Sequence, residues 1–226
     1  MIASRFYRHN KISINILVMK ILAVSDKIED IIYTSSIAER LKDIDFIVSC
    51  GDLPDSYLEF IVSTLNKPLF YVHGNHHIDT IYSENGVKEG GPEGCINLDS
   101  RIIEYKGVII GGLGGSIRYS EGKYQYTDFE MCMKINRMKP RLYFNRIFKK
   151  RYIDILITHS PPYRIQDQDD LPHRGFKCFA SFIRKYNPKF LIHGHIHIYG
   201  IDNNWMEKAG KTKVINAYGF RIIEYE

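Results

Sequence analysis

Residues 20–26, "KILAVSD", form a short apolar run that ends in a carboxylate, and similar runs follow at residues 46–50, "FIVSC", and 68–72, "PLFYV". Segments with helical periodicity lie between these runs, at residues 28–42 and 57–65. The first segment repeats apolar residues at the spacing of one helix face: Ile28, Ile31, Ile32, Ala38 and Leu41. This order of strand, helix, strand, helix, strand predicts an α/β protein with a largely parallel inner sheet.

The rest of the chain alternates in a similar way. The sequence "RIIEYKGVIIGG" predicts a hairpin that turns at Lys106 and Gly107, and helical patterns follow at residues 127–149 and 175–186. Strands are predicted at "IDILIT" and "FLIHG", and the tail from residue 196 is predicted to be a strand meander. No linker divides the chain, so we predict one domain over residues 19–226. Residues 1–18 are either a disordered N-terminal extension or an upstream mis-start, because Met19 followed by "KILAVSD" resembles a natural start.

The composition limits the functions that the chain can have. A net charge of +5 suits an anionic substrate but does not require nucleic acid. The four cysteines are widely spaced without a Cys-x-x-Cys pair, which is typical of reduced thiols in a cytosol. No run approaches the ~20 apolar residues of a membrane span. We therefore predict a cytoplasmic protein without a membrane partner.

Polar side chains collect at the ends of the predicted strands. Ligands of open α/β sheets gather at the carboxyl ends of strands, so these side chains are expected to lie close together. In "LIHGHIHIYG", His193, His195 and His197 are two residues apart, which would turn all three to one face of a strand. Carboxylates, an amide oxygen and imidazoles form a mixed ligand set that suits Mn, Fe or Zn rather than Ca. The side chains at the other strand ends are Asp26, Asp52, Asn75, His76, His77 and His159.

Five short motifs occur in order along the chain: Asp-x-x at residue 26, Gly-Asp-x-x-Asp at 51, Gly-Asn-His at 74, Thr-His at 158 and Gly-His-x-His at 194. This order of motifs resembles that of the calcineurin-like metallophosphoesterases. The resemblance extends from about Lys20 to the last residue. The resemblance implies an α/β (α+β) fold, a four-layer α/β/β/α sandwich of two packed mixed β-sheets flanked by helices. It also implies a site for two divalent metal ions at the strand ends.

The resemblance also implies roles for individual residues. Asp52 would bridge two metals, and His76 would contact the substrate and protonate the leaving group. The remaining ligands would be Asp26 and His197 for the first metal, and Asn75, His159 and His195 for the second. The implied activity is phosphoester hydrolysis, of diesters more than monoesters, by a hydroxide that bridges the two metals. His193 is interpreted as a packed or supporting residue.

Two positions depart from the family pattern. Ile28 stands where the family usually has a histidine, so the first metal loses one protein ligand, which water or Glu29 would have to replace. His77 stands where the family commonly has an acid that orients the preceding histidine. The sequence therefore predicts that the second metal site is the stronger one.

Substrate contacts are predicted from two loops. Arg118 and Tyr119 follow a Gly-rich segment, and His173 and Arg174 precede a helix; each pair is as consistent with a loop or cap role as with phosphate binding. The substrate would be a small anionic phosphoester or a nucleotide.

The run "RMKPRLYFNRIFKKRY" at residues 137–152 holds seven basic residues and could contact nucleic acid. We favour a solvated helical face that packs through Met138, Leu142 and Phe148. Two alternatives to a phosphoesterase remain: a degenerate interaction module of the same fold, favoured by Ile28, and a nuclease, which rests on the basic run.

Overall fold

The computed structural model describes residues 18–76, 80–83, 86–198 and 204–226. The predicted extension at residues 1–18 lies outside the described residues except for Val18, and so does His77. In chain order the elements are β1 (Met19–Ser25), α1 (Ile37–Arg40), β2 (Phe46–Ser49), α2 (Asp55–Leu65), β3 (Leu69–Tyr71), β4 (Thr80–Ser83), β5 (Gly86–Glu89), β6 (Cys95–Asn97), β7 (Ile102–Tyr105), β8 (Val108–Leu113), β9 (Ser116–Ile117), β10 (Gln125–Tyr126), α3 (Asp128–Lys149), β11 (Ile155–Thr158), α4 (Lys177–Tyr186), β12 (Phe190–His193), β13 (Met206–Ala209), β14 (Thr212–Asn216) and β15 (Gly219–Tyr225).

The first sheet has the strand order β15-β1-β2-β3-β6. Strands β1, β2, β3 and β6 run parallel to one another, as the strand–helix alternation predicts, and β15 is antiparallel to β1. The second sheet has the order β13-β14-β12-β11-β8-β7 and is also mixed. The predicted hairpin is confirmed, because β7 and β8 pair antiparallel around Lys106 and Gly107, which both have positive φ.

Three apolar clusters define the layers. One lies between the two sheets and contains Ile21 and Val48 from the first sheet with Ile157 from the second. Another packs the first sheet on α1 and α2, and the third packs the second sheet on α3 and α4. Leu22 belongs to the helix-facing cluster while its neighbour Ile21 faces the other sheet, as strand alternation requires. The predicted four-layer sandwich is confirmed.

Two predicted elements differ from the structure. The helix predicted at residues 28–42 is reduced to α1, and the residues before it form turns. Thr34, Ser35 and Ser36 interrupt the pattern, because their hydroxyls compete with helical backbone hydrogen bonds. The tail is not one meander: β13 and β14 form a hairpin in the second sheet, while β15 crosses to pair with β1 in the first.

Helix α3 is the longest helix among the described residues and confirms the prediction at residues 127–149. Its N-terminus is fixed by a capping box, in which Thr127 and Glu130 bond each other's backbone amides. Met138 and Leu142 are buried as predicted, but Phe148 is 67% exposed and does not pack into the core. In the described part of the chain, no helix combines the length and the apolar character that crossing a membrane would require.

Candidate metal centre

The predicted ligands lie where strands of both sheets end. Asp26 follows β1, Asp52 follows β2, His159 follows β11, and His195 lies two residues beyond β12. Strand β1 runs parallel to β2 in the first sheet, and β11 runs parallel to β12 in the second. Nε2 of His159 lies 3.2 Å from Oδ2 of Asp52, so the carboxyl ends of both pairs open on the same edge of the sandwich. The core between the sheets ends at this edge, and polar side chains replace it.

Three of these side chains form a compact group. Asp52, His159 and His195 each offer a ligand atom, and the three atoms lie within 4.8 Å of one another. Asn75 adjoins them, because its Oδ1 is 2.8 Å from Nε2 of His159. One carboxylate, one amide oxygen and two imidazoles, all shielded from solvent, make a donor set that fits a divalent transition metal.

Asp26 and His197 mark a second position beside this group. Nε2 of His197 is 4.0 Å from Oδ1 of Asp26, and the His197 ring packs against Tyr218 with ring centroids 4.8 Å apart. Ile28 is 40% exposed, so it does not belong to a packed helix face as the sequence predicts. Glu29, the predicted substitute ligand, is held by Lys27 at 2.8 Å.

Backbone amides fix both aspartates in the same way. The amide of His76 donates to Oδ1 of Asp52 at 2.9 Å, and the amide of His195 donates to Oδ2 of Asp26 at 2.8 Å. In each carboxylate, one oxygen is thus held by the backbone and the other faces a histidine. These hydrogen bonds fix the orientation of both carboxylates.

The backbone at three predicted ligands is left-handed. Asp26, Asp52 and His195 have φ values of 62°, 53° and 65°. Residues other than glycine adopt this backbone conformation at a cost in free energy, and such residues cluster at functional sites. The turn at His195 also corrects the expectation that three histidines share a strand face, because β12 ends at His193.

Glycines allow the close approaches on which this geometry depends. A Cβ on Gly74 would lie 1.9 Å from Oδ1 of Asp52, and one on Gly194 would lie 2.3 Å from Oδ2 of Asp26. Either clash would push a carboxylate away from the amide that holds it. The glycines of the Gly-Asn-His and Gly-His-x-His motifs are therefore required by the packing around the two aspartates.

His159 is the protonated imidazole of the group. Burial alone would lower its pKa, but the carboxylate of Asp52, 3.2 Å away, raises the pKa of His159 to about 9. Burial would likewise raise the pKa of Asp52, yet the His159 charge and two hydrogen bonds hold that pKa well below its usual range. Both nitrogens of His159 face oxygen atoms, since Nδ1 donates to the carbonyl of Cys50 at 2.8 Å. Without a metal, a proton on Nε2 thus joins His159 to Asp52 and Asn75.

His195 and His193 are neutral. Burial and the nearby charge of His159 lower the pKa of His195 to about 3, and its Nε2 donates to the carbonyl of Pro172 at 2.7 Å. Because Nε2 carries the proton, Nδ1 has the lone pair that could bind a metal. His193 is fully buried, has a pKa lowered to about 4 by burial, and bonds Gln166 at 2.9 Å.

The residues predicted to contact substrate differ in how close they lie to the predicted metal ligands. The His76 side chain is exposed, next to Asn75 at the rim of the group. The hydroxyl of Tyr119 accepts a hydrogen bond of 3.0 Å from Nδ2 of Asn75, which directs the amide oxygen of Asn75 towards His159. Arg118 instead turns away and forms an ion pair of 2.9 Å with Glu130.

The second predicted loop borders the site through one residue. The ring centroid of His173 lies 5.3 Å from that of His195, and its Nδ1 is 2.7 Å from Oδ2 of Asp170. Arg174 stays within its own loop and donates to the carbonyl of Asp169 at 3.3 Å. The structure therefore brings Tyr119 and His173 next to predicted ligands, but not Arg118 or Arg174.

Several groups that orient the histidines of the site cannot be recognised in the sequence. The carbonyls of Cys50 and Pro172 orient His159 and His195, and a backbone carbonyl has no signature in the sequence. Gln166 is the partner of His193, and a polar residue in an Asp-rich loop gives no such indication.

Comparison with known proteins agrees with this geometry. The model of a family described as calcineurin-like phosphoesterase matches residues 19–199. An uncharacterized protein of Haemophilus influenzae is 25% identical over 174 residues, which span 69% of this chain and 71% of that protein.

Two solved structures share the fold. The protein TT1561 of Thermus thermophilus aligns with a TM-score of 0.61 at 17% identity, over 92% of this chain and 98% of that chain. A second solved structure aligns with a TM-score of 0.61 at 14% identity, over 93% of this chain and 99% of that chain. At these identities the likeness concerns the fold alone.

Proposed function

Because the chain belongs to the calcineurin-like phosphoesterase family, we propose that it is a metal-dependent phosphoric ester hydrolase that acts on phosphodiesters more than on phosphomonoesters. The substrate would be a small anionic ester or a nucleotide. The observation that carries the proposal is the convergence of Asp52, His159 and His195 within 4.8 Å, beside the amide oxygen of Asn75. A packed interior does not need such a group, because burying polar and charged side chains is costly and their mutual hydrogen bonds only offset that cost.

Two metals would be held unequally. Asp52, Asn75, His159 and His195 would bind the second metal, whereas the first would have Asp26, the shared Asp52 and His197. When bound, such metals polarise a phosphoryl group and activate water for in-line attack. Mn, Fe and Zn all suit this ligand set. The second site should be the tighter one, since Ile28 offers the first metal no ligand atom.

His76 would act on the leaving group. Its amide is tied to Asp52 while its ring is exposed at the rim of the group, so the ring is free to meet a bound ester. A proton donated from the imidazole to the departing oxygen would offset the negative charge that develops there. Tyr119 would act as a positioning residue, because it holds the amide of Asn75.

A second candidate is a noncatalytic interaction module. The observation that favours it is Ile28, 40% exposed at the position where the family usually has a metal-binding histidine. A module without chemistry would not require the neutral, correctly oriented imidazole of His195, so the hydrolase remains our proposal. A cytoplasmic location stays a prediction from the four cysteines, all of which are free.

The test is metal analysis followed by assays on bis-p-nitrophenyl phosphate and p-nitrophenyl phosphate. Asp52→Asn is the informative variant, since asparagine tolerates the left-handed backbone but removes the bridging charge. We expect hydrolysis by the manganese-loaded protein and a loss of at least ~100-fold in Asp52→Asn, by analogy with removing one electrostatic stabiliser.

Asp43→Asn is the matched control, because Asp43 precedes β2 whereas Asp52 follows it, and because its side chain is 67% exposed and pairs only loosely with Lys20, at 3.4 Å. It should keep full activity. Metal binding without turnover of either ester would refute the hydrolase and support the interaction module. Faster turnover of the monoester would refute the diester preference.

A further inference from the structure

Helix α3 has an apolar stripe on the side that faces away from the protein. Phe129, Met133, Phe144 and Ile147 are 74%, 48%, 44% and 63% exposed, and Pro140 is exposed between them. Their spacings of four, seven, four and three residues place them on one helix face. The stripe is ~27 Å long at 1.5 Å per residue. It lies opposite the face that buries Met131, Met138 and Leu142, so α3 is apolar on two sides.

The stripe widens at its C-terminal end. Phe148 is 67% exposed and its ring stacks on Phe144 with centroids 4.4 Å apart. The exposed apolar surface there is therefore contiguous, with Ile147 beside the two rings. Single exposed apolar residues are ordinary, but contiguous ones mark a surface that contacts something other than water.

Positive charge borders the stripe from Met133 to its C-terminal end, whereas Phe129 lies between Asp128 and Glu130. Residues 131–153 contain eight lysines and arginines and no acidic residue. Three of the eight form ion pairs, Lys134 with Asp99, Lys149 with Glu104 and Arg151 with Asp154. Within the residues that the structure describes, the other five are in no ion pair: Arg137, Lys139, Arg141, Arg146 and Lys150.

The charges lie on both sides of the stripe. At 3.6 residues per turn, Arg137 and Arg141 follow one edge, and Lys139 and Arg146 follow the other. Their long side chains can extend along the apolar surface while the charged groups stay in water. An apolar centre with basic edges on a convex helix is the pattern of a helix that lies on an anionic membrane surface.

Other occupants fit these features less well. A second copy of the chain, packed α3 to α3, would bring two unneutralised basic edges together, and like charges across an interface are unfavourable. Single-stranded nucleic acid would gain from the charges and the phenylalanines, but Ile147, Met133 and Pro140 offer no flat face on which a base could stack.

We propose that α3 docks this protein reversibly on membranes that contain anionic lipid, with Phe144, Ile147 and Phe148 at the headgroup boundary and the flanking cations on lipid phosphates. This inference is independent of the proposed hydrolase. It revises the sequence-based expectation that the protein has no membrane partner, because that expectation considered membrane-spanning segments and placed Phe148 in the core.

The test is sedimentation of the full-length protein with vesicles of phosphatidylcholine, with and without phosphatidylglycerol. We expect binding only when phosphatidylglycerol is present, and weaker binding as salt is raised. The variant Phe144→Glu/Ile147→Glu should bind at least ~10-fold more weakly, given the apolar area it withholds from lipid. Arg137→Gln/Arg141→Gln should lose about fivefold for each cation removed.

Ile222→Glu is the matched control, because Ile222 is 48% exposed on β15 in the other sheet. It should bind like the wild type. Thermal unfolding of every variant checks that the exposed substitutions leave the fold intact.

Equal binding of the wild type and Phe144→Glu/Ile147→Glu to anionic vesicles would overturn the proposal, as would the absence of binding to them. A dimer that Ile147→Glu dissociates, seen without vesicles, would assign the stripe to a second copy and also overturn it. Tight binding of a single-stranded oligonucleotide, abolished in Phe144→Glu/Ile147→Glu, would assign the stripe to nucleic acid and would also overturn the proposal.

Discussion

Binding of a divalent metal to the group around His159 should release close to one proton from His159 at pH 7.5. The pKa of His159 is raised to about 9 by Asp52, so its imidazole is almost fully protonated at that pH. A metal binds the neutral imidazole, so the proton must leave when the metal enters. A histidine with the ordinary pKa of ~6.5 would release only ~0.1 proton under the same conditions.

The same proton sets the pH dependence of metal affinity. Between about pH 7 and 9 the apparent affinity should rise roughly tenfold per pH unit, and above pH 9 this contribution should level off. At pH 7 the competition with the proton weakens binding by ~100-fold, or ~2.7 kcal/mol, relative to the fully deprotonated site.

Isothermal titration calorimetry in buffers with different protonation enthalpies counts the released protons. His159→Asn is the control, because it keeps an oxygen ligand without a titrating proton and so reports any proton lost from bound water. His195→Asn is the comparison, because His195 is already neutral, with a pKa lowered to about 3. It should weaken metal binding yet still release about one proton. Stoichiometric binding with only ~0.1 proton released by the wild type would refute the reasoning.

Three further outcomes follow from the site. His76→Ala should keep its metal content and hydrolyse an alkyl phosphodiester ~100-fold or more slowly. Hydrolysis of a nitrophenyl diester should slow less, because nitrophenolate leaves without protonation. An equal decrease in kcat/KM for both esters, or a loss of metal, would show that His76 is a binding group or a ligand. Tyr119→Phe should weaken metal binding about tenfold without abolishing it, as expected for the loss of a group that orients a ligand, and unchanged affinity in a chelator competition would contradict this. The metal-free protein should lose stability as the pH falls from 6.5 towards 4, because the folded protein keeps His193 and His195 neutral, with pKa values lowered to about 4 and about 3, while the unfolded chain binds a proton at each of them below pH ~6.5. The expected loss at pH 5 is ~2 kcal/mol per histidine, and chemical unfolding curves at pH 7 and 5 that coincide would refute it.

The sequence predicts the layers of this fold well because their signals are local. The runs that became β1, β2 and β3 are mostly apolar, and α3 begins at a capping box formed by Thr127 and Glu130. Where an outcome depends on distant contacts, prediction fails. Nothing within residues 219–225 indicates that β15 leaves its neighbour β14 and completes the first sheet beside β1.

The candidate site shows the same division. The identities of the polar side chains at the strand ends can be read from the sequence, and the structure brings Asp52, His159 and His195 together. The contacts that orient these side chains cannot be predicted from the sequence. The amide of His76 on Asp52 and the carbonyl of Pro172 on His195 are backbone groups, whose positions depend on the whole chain path. The turn that separates His195 from the face of β12 likewise depends on how closely Gly194 approaches Asp26.

The left-handed backbone at Asp26 has a consequence for engineering this protein. Asp26 is buried, its pKa is raised by burial, and its φ is 62°, so an ionised aspartate there opposes folding both electrostatically and conformationally. Asparagine would accept the same hydrogen bond from His195, tolerate that φ and carry no charge. Directed evolution for heat resistance alone would therefore select substitutions at such positions, and the most stable variants would lack a carboxylate that we propose binds the first metal.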